Sequence, residues 1–352
     1  MDTTRETTSA PTRRRVLGAG LTTAAVTGLG LATGATASAA TRTTGGLTFR
    51  DGHGLTVRDA QRWDWERRLV YLRLGTAEIT GWGGGGPGVN VLLPRGYDEH
   101  PARRYPVVYA FHGGGASNDF TDFHRGAGIV ERTADLDAIV VMPDGGHGSF
   151  YIDATFSTSH TRNWETFHHE QLIPWIDANL RTIPTRAARA ALGISMGGYG
   201  ALKYGARFPD RWSSVTGISA PSDTLFLPLQ LYMAGAPAVV DGLNWGALLG
   251  PVGSNAELRR AHNPQSRVER YRGMQVNLYT GLGDLNPVNG FNLDYNEDVV
   301  APQTLYFAQQ LQAAGIPRTY RVYPEGGHNM KTWGPALDDA LPRVVGHLTK
   351  AG

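Results

Sequence analysis

Four short apolar runs constrain the fold, because each stops at the same kind of turn. Pro106–Phe111 ends at His112-Gly113-Gly114-Gly115, and Ala138–Met142 ends at Pro143-Asp144-Gly145-Gly146. Ala190–Ile194 ends at Ser195, and Met274–Tyr279 ends at Thr280-Gly281. Runs this short and this continuous fit strands buried on both faces of a parallel sheet. Helical patterns over Glu165–Leu180 and Gly197–Phe208 lie between them. Alternating strand and helix predicts an α/β architecture, a mostly parallel central sheet with helices on both faces. In such sheets the reactive loops gather at the C-terminal strand edge, where each of these glycine-rich tails falls. Arg68–Leu74 and Val89–Leu93 read as two further strands around the glycine-rich loop Gly81–Gly88. Pro221–Pro264 shows no clean period and reads as an insertion over the sheet, with Leu225–Trp245 offering either an acyl-binding wall or ordinary core packing.

The third run carries the chemistry. Gly193-Ile194-Ser195-Met196-Gly197 has the G-x-S-x-G pattern between a strand and a helix. A sharp turn there lifts a serine hydroxyl clear of the backbone and crowds the residues two before and two after, so glycine is required at both. Ser195 is therefore the candidate nucleophile. The amide of Met196, at the start of the following helix, is placed to donate to a developing oxyanion. The second donor is expected from His112-Gly113-Gly114-Gly115, with the amide of Gly114 preferred and Gly115 as the alternative. His112 reads as a structural residue. A general base is expected near the C-terminus, and His328 in Pro324-Glu325-Gly326-Gly327-His328 fits, following the strand-like Thr319–Tyr323. The acid should follow the Met274–Tyr279 strand. Asp284, Asp294, Glu297 and Asp298 all qualify, and spacing does not choose among them. No His-x-x-x-His or carboxylate–His cluster suggests a metal, and no cofactor is expected.

Composition narrows the partners. The chain has 352 residues, a formal net charge of +2 and no long run of one sign, which gives no reason to expect nucleic acid. It has no cysteine, so disulfides and thiolate chemistry are excluded. Arg13-Arg14-Arg15 precedes a mildly apolar stretch rich in Gly, Ala and Thr that ends in Ala37-Ser38-Ala39. That order predicts a twin-arginine secretory signal over residues 1–39, read by the twin-arginine export machinery, and an extracellular mature protein. No later segment has the apolar length of a membrane span, so no stable membrane insertion is expected. Residues 40–62 are polar and rich in Gly and Thr, and read as a flexible mature N-terminus ahead of a catalytic domain over 63–352.

Several longer stretches resemble the esterase D-type family, in particular its mycobacterial mycolyltransferase (fibronectin-binding antigen) branch and related secreted actinobacterial esterases. They include Leu93-Pro94-Arg95-Gly96-Tyr97, Met142-Pro143-Asp144-Gly145-Gly146, Ser149-Phe150-Tyr151-Ile152-Asp153 and Trp164-Glu165-Thr166-Phe167 with Leu172 and Trp175. Gly193–Gly197, and Gly327-His328 with Trp333 close behind, complete the match. The resemblance implies the α/β-hydrolase fold. It also implies an acid that begins a helix, with a Phe ten residues on and a Gly at the helix end. Glu297, Phe307 and Gly315 fit that pattern, which prefers Glu297 and leaves Asp284 as the alternative acid. The mycolyltransferases carry an Asp and an Arg on the first oxyanion loop where this chain has His112 and Gly115. The reading that follows is a secreted serine carboxylesterase acting on a small-molecule, lipid or sugar ester. The alternatives are an acyltransferase to a sugar hydroxyl and an inactive binding protein on the same scaffold.

Overall fold

A computed structural model of the chain describes residues 40–63, 68–282 and 297–348. The expected signal segment 1–39 and the candidates Asp284 and Asp294 lie outside the described residues. The strands are β1 Thr41–Thr44, β2 Leu47–Arg50, β3 Thr56–Trp63, β4 Leu69–Gly75, β5 Gly88–Leu92, β6 Val107–Phe111, β7 Ile139–Pro143, β8 Arg189–Ile194, β9 Ser214–Ile218, β10 Gln275–Gly281 and β11 Arg318–Tyr323. The helices are α1 Asp122–Arg125, α2 Ile129–Arg132, α3 Trp164–Thr166, α4 Ile173–Asn179, α5 Met196–Arg207, α6 Leu227–Val240, α7 Ala256–Ala261, α8 Glu297–Ala313 and α9 Met330–His347. A π-helical turn over Phe167–Leu172 joins α3 to α4, so the expected Glu165–Leu180 helix is one rod with a widened turn.

Nine strands form one sheet in the order β11-β10-β9-β8-β6-β7-β5-β4-β3. From β11 to β7 all neighbours are parallel, whereas β5, β4 and β3 add antiparallel pairs at one edge. The chain steps from β6 to β7 on one side and then to β8 on the other. The strand order reverses there, so the connections leaving β6 and β8 part and open a crevice at their C-terminal ends.

The expected apolar runs form β6, β7, β8 and β10 because their side chains serve two cores at once. Val107, Tyr109 and Phe111 of β6 point into one layer with Trp164, Trp175, Tyr199 and Leu202. Val108 and Ala110 point into the other, with Phe123, Ile129, Leu337, Leu341 and Val344. Alternation along an extended strand requires this split, so a strand covered on both faces reads as unbroken apolar sequence.

A buried ion cluster anchors α5. Glu165 Oε2 lies 2.6 Å from Lys203 Nζ, and its Oε1 lies 2.7 Å from Arg207 Nη2. Burial alone would raise the pKa of Glu165. The two cations outweigh it and hold the carboxyl at about 2.

Two expectations change. Residues 40–62 are not a loose terminus: β1 and β2 form a hairpin, and β3 pairs with β4 as the edge of the main sheet. Their polar composition hid a short alternation in which Phe49, Leu55 and Val57 are buried, Phe49 stacking on Trp175 at 5.9 Å. The ordered sheet therefore begins at Thr56 rather than after residue 62. The stretch 221–264, read as irregular, contains α6 and α7. Prolines at the start and in the interior of α6 masked its period. Among the described residues no helix is long and apolar enough to cross a membrane.

Candidate active site

Ser195 sits in the turn between β8 and α5 with φ 55° and ψ −119°. A non-glycine residue holds such a backbone only when its surroundings impose it. The two glycines are required for this approach: a Cβ on Gly193 would strike the backbone of Gly197, and one on Gly197 would strike the carbonyl of Phe111. The turn is thus wedged against the end of β6, and the serine faces the loop that β6 carries.

His328 lies between β11 and α9, where Asn329 caps α9 by accepting from the amide of Lys331 at 2.9 Å. The Ser195 hydroxyl donates to His328 Nε2 across 2.8 Å. The opposite ring nitrogen, Nδ1, lies 2.9 Å from Glu297 Oε2. Glu297 is the first residue of α8 and is buried, whereas its neighbour Asp298 is exposed. The structure therefore brings Ser195, His328 and Glu297 into one line and leaves Asp298 outside it. Phe307 is buried in the core beneath α8, and Gly315 follows the helix with φ +66°.

Glu297 Oε1 accepts from Thr280 Oγ1 at 2.7 Å, from the amide of Gly281 at 2.5 Å and from Ser219 Oγ at 2.9 Å. Burial would raise this carboxyl. The hydrogen bonds from His328, Thr280 and Gly281 together reverse that effect and hold its pKa below the usual value. The acid is thus ionised at neutral pH and keeps the Nδ1 proton on His328, which leaves Nε2 free to accept. Sequence reading missed Ser219 and its strand β9. The Thr280-Gly281 tail was visible as a strand end, but not its bonding to the acid.

The loop after β6 is tied down on several sides. The Gly115 amide donates to the carbonyl of His147 at 2.8 Å, so it is engaged. Asn118 Nδ2 donates to the carbonyl of Gly114 at 2.9 Å. The amides of Gly114 and Met196 meet no acceptor among the described residues. His112 is buried, donates from Nδ1 to the carbonyl of Gly113 at 2.8 Å and accepts at Nε2 from the amide of Gly145 at 3.0 Å. Burial pushes its pKa down to about 4, so it is a neutral brace under the loop.

A cleft of about 410 Å³ opens over Ser195 and His328. Its described walls come from the loop and helix after β6, including Asn118, Asp122 and Phe123, and from Met330 and Trp333 of α9. No residue of Leu225–Trp245 lines it, so that stretch is not the described wall of the cleft. The His147 ring stacks on Trp82 at 5.0 Å. Among the described residues no group of three or more His, Asp or Glu is placed to hold a metal ion.

Similarity to known proteins bears on the family and the fold. The model of the Esterase family, described as "Putative esterase", matches residues 84–344. Esterase Rv1288 of Mycobacterium tuberculosis is 41% identical over 280 residues, covering 79% of this chain and 59% of its own length. This chain therefore spans under two thirds of that relative. The diacylglycerol acyltransferase/mycolyltransferase Ag85B of Mycolicibacterium smegmatis is 29% identical over 257 residues, 68% of this chain and 77% of that protein. Among solved structures, Mycobacterium tuberculosis MPT51 (FbpC1) superposes with a TM-score of 0.60 at 20% identity, covering 77% of this chain and 97% of that one. The likeness shows the α/β-hydrolase-type fold.

Proposed function

The chain belongs to the esterase family, and from that premise we propose that it hydrolyses carboxylic esters through an acyl-enzyme on Ser195. The observation that carries this reading is the unbroken line Ser195–His328–Glu297 beside two unengaged amides. In the first step His328 Nε2 takes the Ser195 proton as Oγ attacks the ester carbonyl carbon. The carbonyl oxygen becomes an oxyanion, held by the amides of Gly114 and Met196. His328 then passes the proton to the departing alcohol as the tetrahedral intermediate collapses. Water then gives a proton to His328 as its oxygen attacks the acyl carbon, and His328 returns that proton to Ser195 Oγ as the bond to Oγ breaks and the acid leaves. Glu297 stays ionised throughout and stabilises the imidazolium.

Hydrolysis is favoured over acyl transfer by the loop after β6. At the two positions where the resembling mycolyltransferases carry charged groups, His112 is buried and Gly115 has no side chain. That loop thus presents no charge there for a sugar acceptor. We also propose that residues 1–39 direct twin-arginine export. The support is Arg13-Arg14-Arg15 ahead of the Ala37-Ser38-Ala39 site, and replacing all three arginines by lysine should retain the protein inside the cell.

The test is hydrolysis of p-nitrophenyl esters from acetate to palmitate by the protein and its Ser195→Ala variant. Turnover that vanishes in the variant supports the reading. No turnover of any ester, with no labelling of Ser195 by a fluorophosphonate, overturns it. Labelling without turnover would replace hydrolysis by transfer to an acceptor.

A further inference from the structure

Glu297 begins α8, yet the bonds on its Oε1 come from other elements: Ser219 after β9, and Thr280 and Gly281 of β10. Ser219 has a second partner. Trp333 Nε1, on α9, lies 3.1 Å from Ser219 Oγ. Chemistry sets the direction of each bond. An indole N–H only donates, and a carboxylate only accepts. The single hydroxyl proton of Ser219 therefore points at Glu297 while its oxygen accepts from Trp333. Ser219 is fully buried and holds φ 49°, with its amide donating to the carbonyl of Tyr279 at 2.8 Å. A serine in the left-handed region is strained unless neighbours hold it there. Trp333 also meets the ring of His328 at 5.3 Å and 84°, and it lines the catalytic cleft.

We propose that Trp333 and Ser219 are positioning residues for the Glu297–His328 pair. The indole reaches both members, His328 through its ring and Glu297 through the Ser219 hydroxyl. A substrate group resting on Trp333 in the cleft thereby bears on the alignment of acid and base. Packing alone would explain the ring contact. It does not explain a buried, strained serine between an indole N–H and a carboxylate that already has two other donors on the same oxygen.

This inference rests on the serine-hydrolase reading, and the experiment separates the two. Trp333→Phe, Ser219→Gly and the double variant are assayed for kcat and KM on p-nitrophenyl acetate, for the rate of fluorophosphonate labelling of Ser195, and for thermal stability. Ser219→Gly removes the hydroxyl while relieving the left-handed backbone, so stability is expected to hold. Each single variant should lose about five- to tenfold in kcat and in labelling rate, the scale of one buried hydrogen bond. The double variant should lose no more than the worse single one, because both changes break one chain of bonds. A Ser219→Gly protein with wild-type kcat and labelling rate overturns the proposal, as do losses that multiply in the double variant. If the wild-type protein itself neither labels nor turns over, the hydrolase reading fails first.

Discussion

Ser195 Oγ and His328 Nε2 stand 2.8 Å apart although 133 residues separate them in the chain. The contact exists because β8 and β11 belong to the parallel part of one sheet, where the C-terminal strand ends face the same way. A dependence on both residues follows. Ser195→Ala and His328→Ala should each lower kcat by about four orders of magnitude or more. Glu297→Gln keeps the shape and loses the charge, so it should cost about 10⁴-fold through the wrong His328 tautomer. Steady-state kinetics on p-nitrophenyl acetate check all three. A Glu297→Gln enzyme within tenfold of wild type would place the acid elsewhere.

Asn118 is expected to matter without touching the triad. Its Nδ2 holds the carbonyl of Gly114 at 2.9 Å, and its own carbonyl lies 2.8 Å from His147 Nδ1. Asn118→Ala frees the Gly114–Gly115 peptide, which directly follows the Gly114 amide assigned to the oxyanion. The expected result is about a tenfold loss of kcat with KM nearly unchanged, since the interaction grows only as the oxyanion forms. A loss confined to KM would move Asn118 to substrate binding.

The Glu165–Lys203–Arg207 cluster should dominate the acid stability of the fold. Glu165→Gln leaves Lys203 fully buried without its anion, which should cost about 3–5 kcal/mol in denaturant unfolding. The sign of the pH effect follows from the depressed pKa. Folded Glu165 titrates at about 2 against a reference of 4.5. Its contribution is complete above 4.5 and is lost as pH falls from 4.5 through about 2. Urea midpoints measured across that window should fall more steeply for the wild type than for Glu165→Gln. Parallel slopes would assign acid unfolding to other carboxylates.

Asp122 makes the cleft sensitive to pH near neutrality. Burial pushes its carboxyl up to about 7, outweighing the hydrogen bond from the Asp119 amide, which lowers it. It is neutral below that value and anionic above it. For an ester bearing a negative charge, KM should rise about three- to tenfold from pH 6 to pH 8, as a like charge appears in the cleft. A neutral ester should show no such rise, and Asp122→Asn should abolish it. An identical pH profile in Asp122→Asn would clear this residue of the effect.

Local features of the chain were legible because they obey local rules. Val107–Phe111, and Arg189–Ile194 beyond its first residue, form strands since a doubly covered strand is a near-continuous apolar run. Gly193 and Gly197 mark the turn at Ser195 because no Cβ fits there. His328 stood out by its place after a strand. The strand β9 escaped notice because Ser214–Ile218 mixes Ser, Thr and Gly into a buried segment. Residues 40–62 were misread because their buried Phe49, Leu55 and Val57 are spread through a polar stretch.

By itself the sequence determined the α/β alternation, the nucleophile's turn and a short list of partners for Ser195, since each was read from its own local pattern of neighbours in the chain. The family resemblance preferred Glu297 where spacing did not choose, and the tertiary structure sets it rather than Asp298 against His328, because one residue along a helix turns a side chain by about 100°. The tertiary structure alone brought Ser219, Thr280 and Gly281 to the other oxygen of that carboxylate, and residues after β6 and on α9 to the walls of the cleft. Those meetings depend on which strand ends are neighbours in the sheet, and strand order is a property of the folded chain that no local spacing encodes.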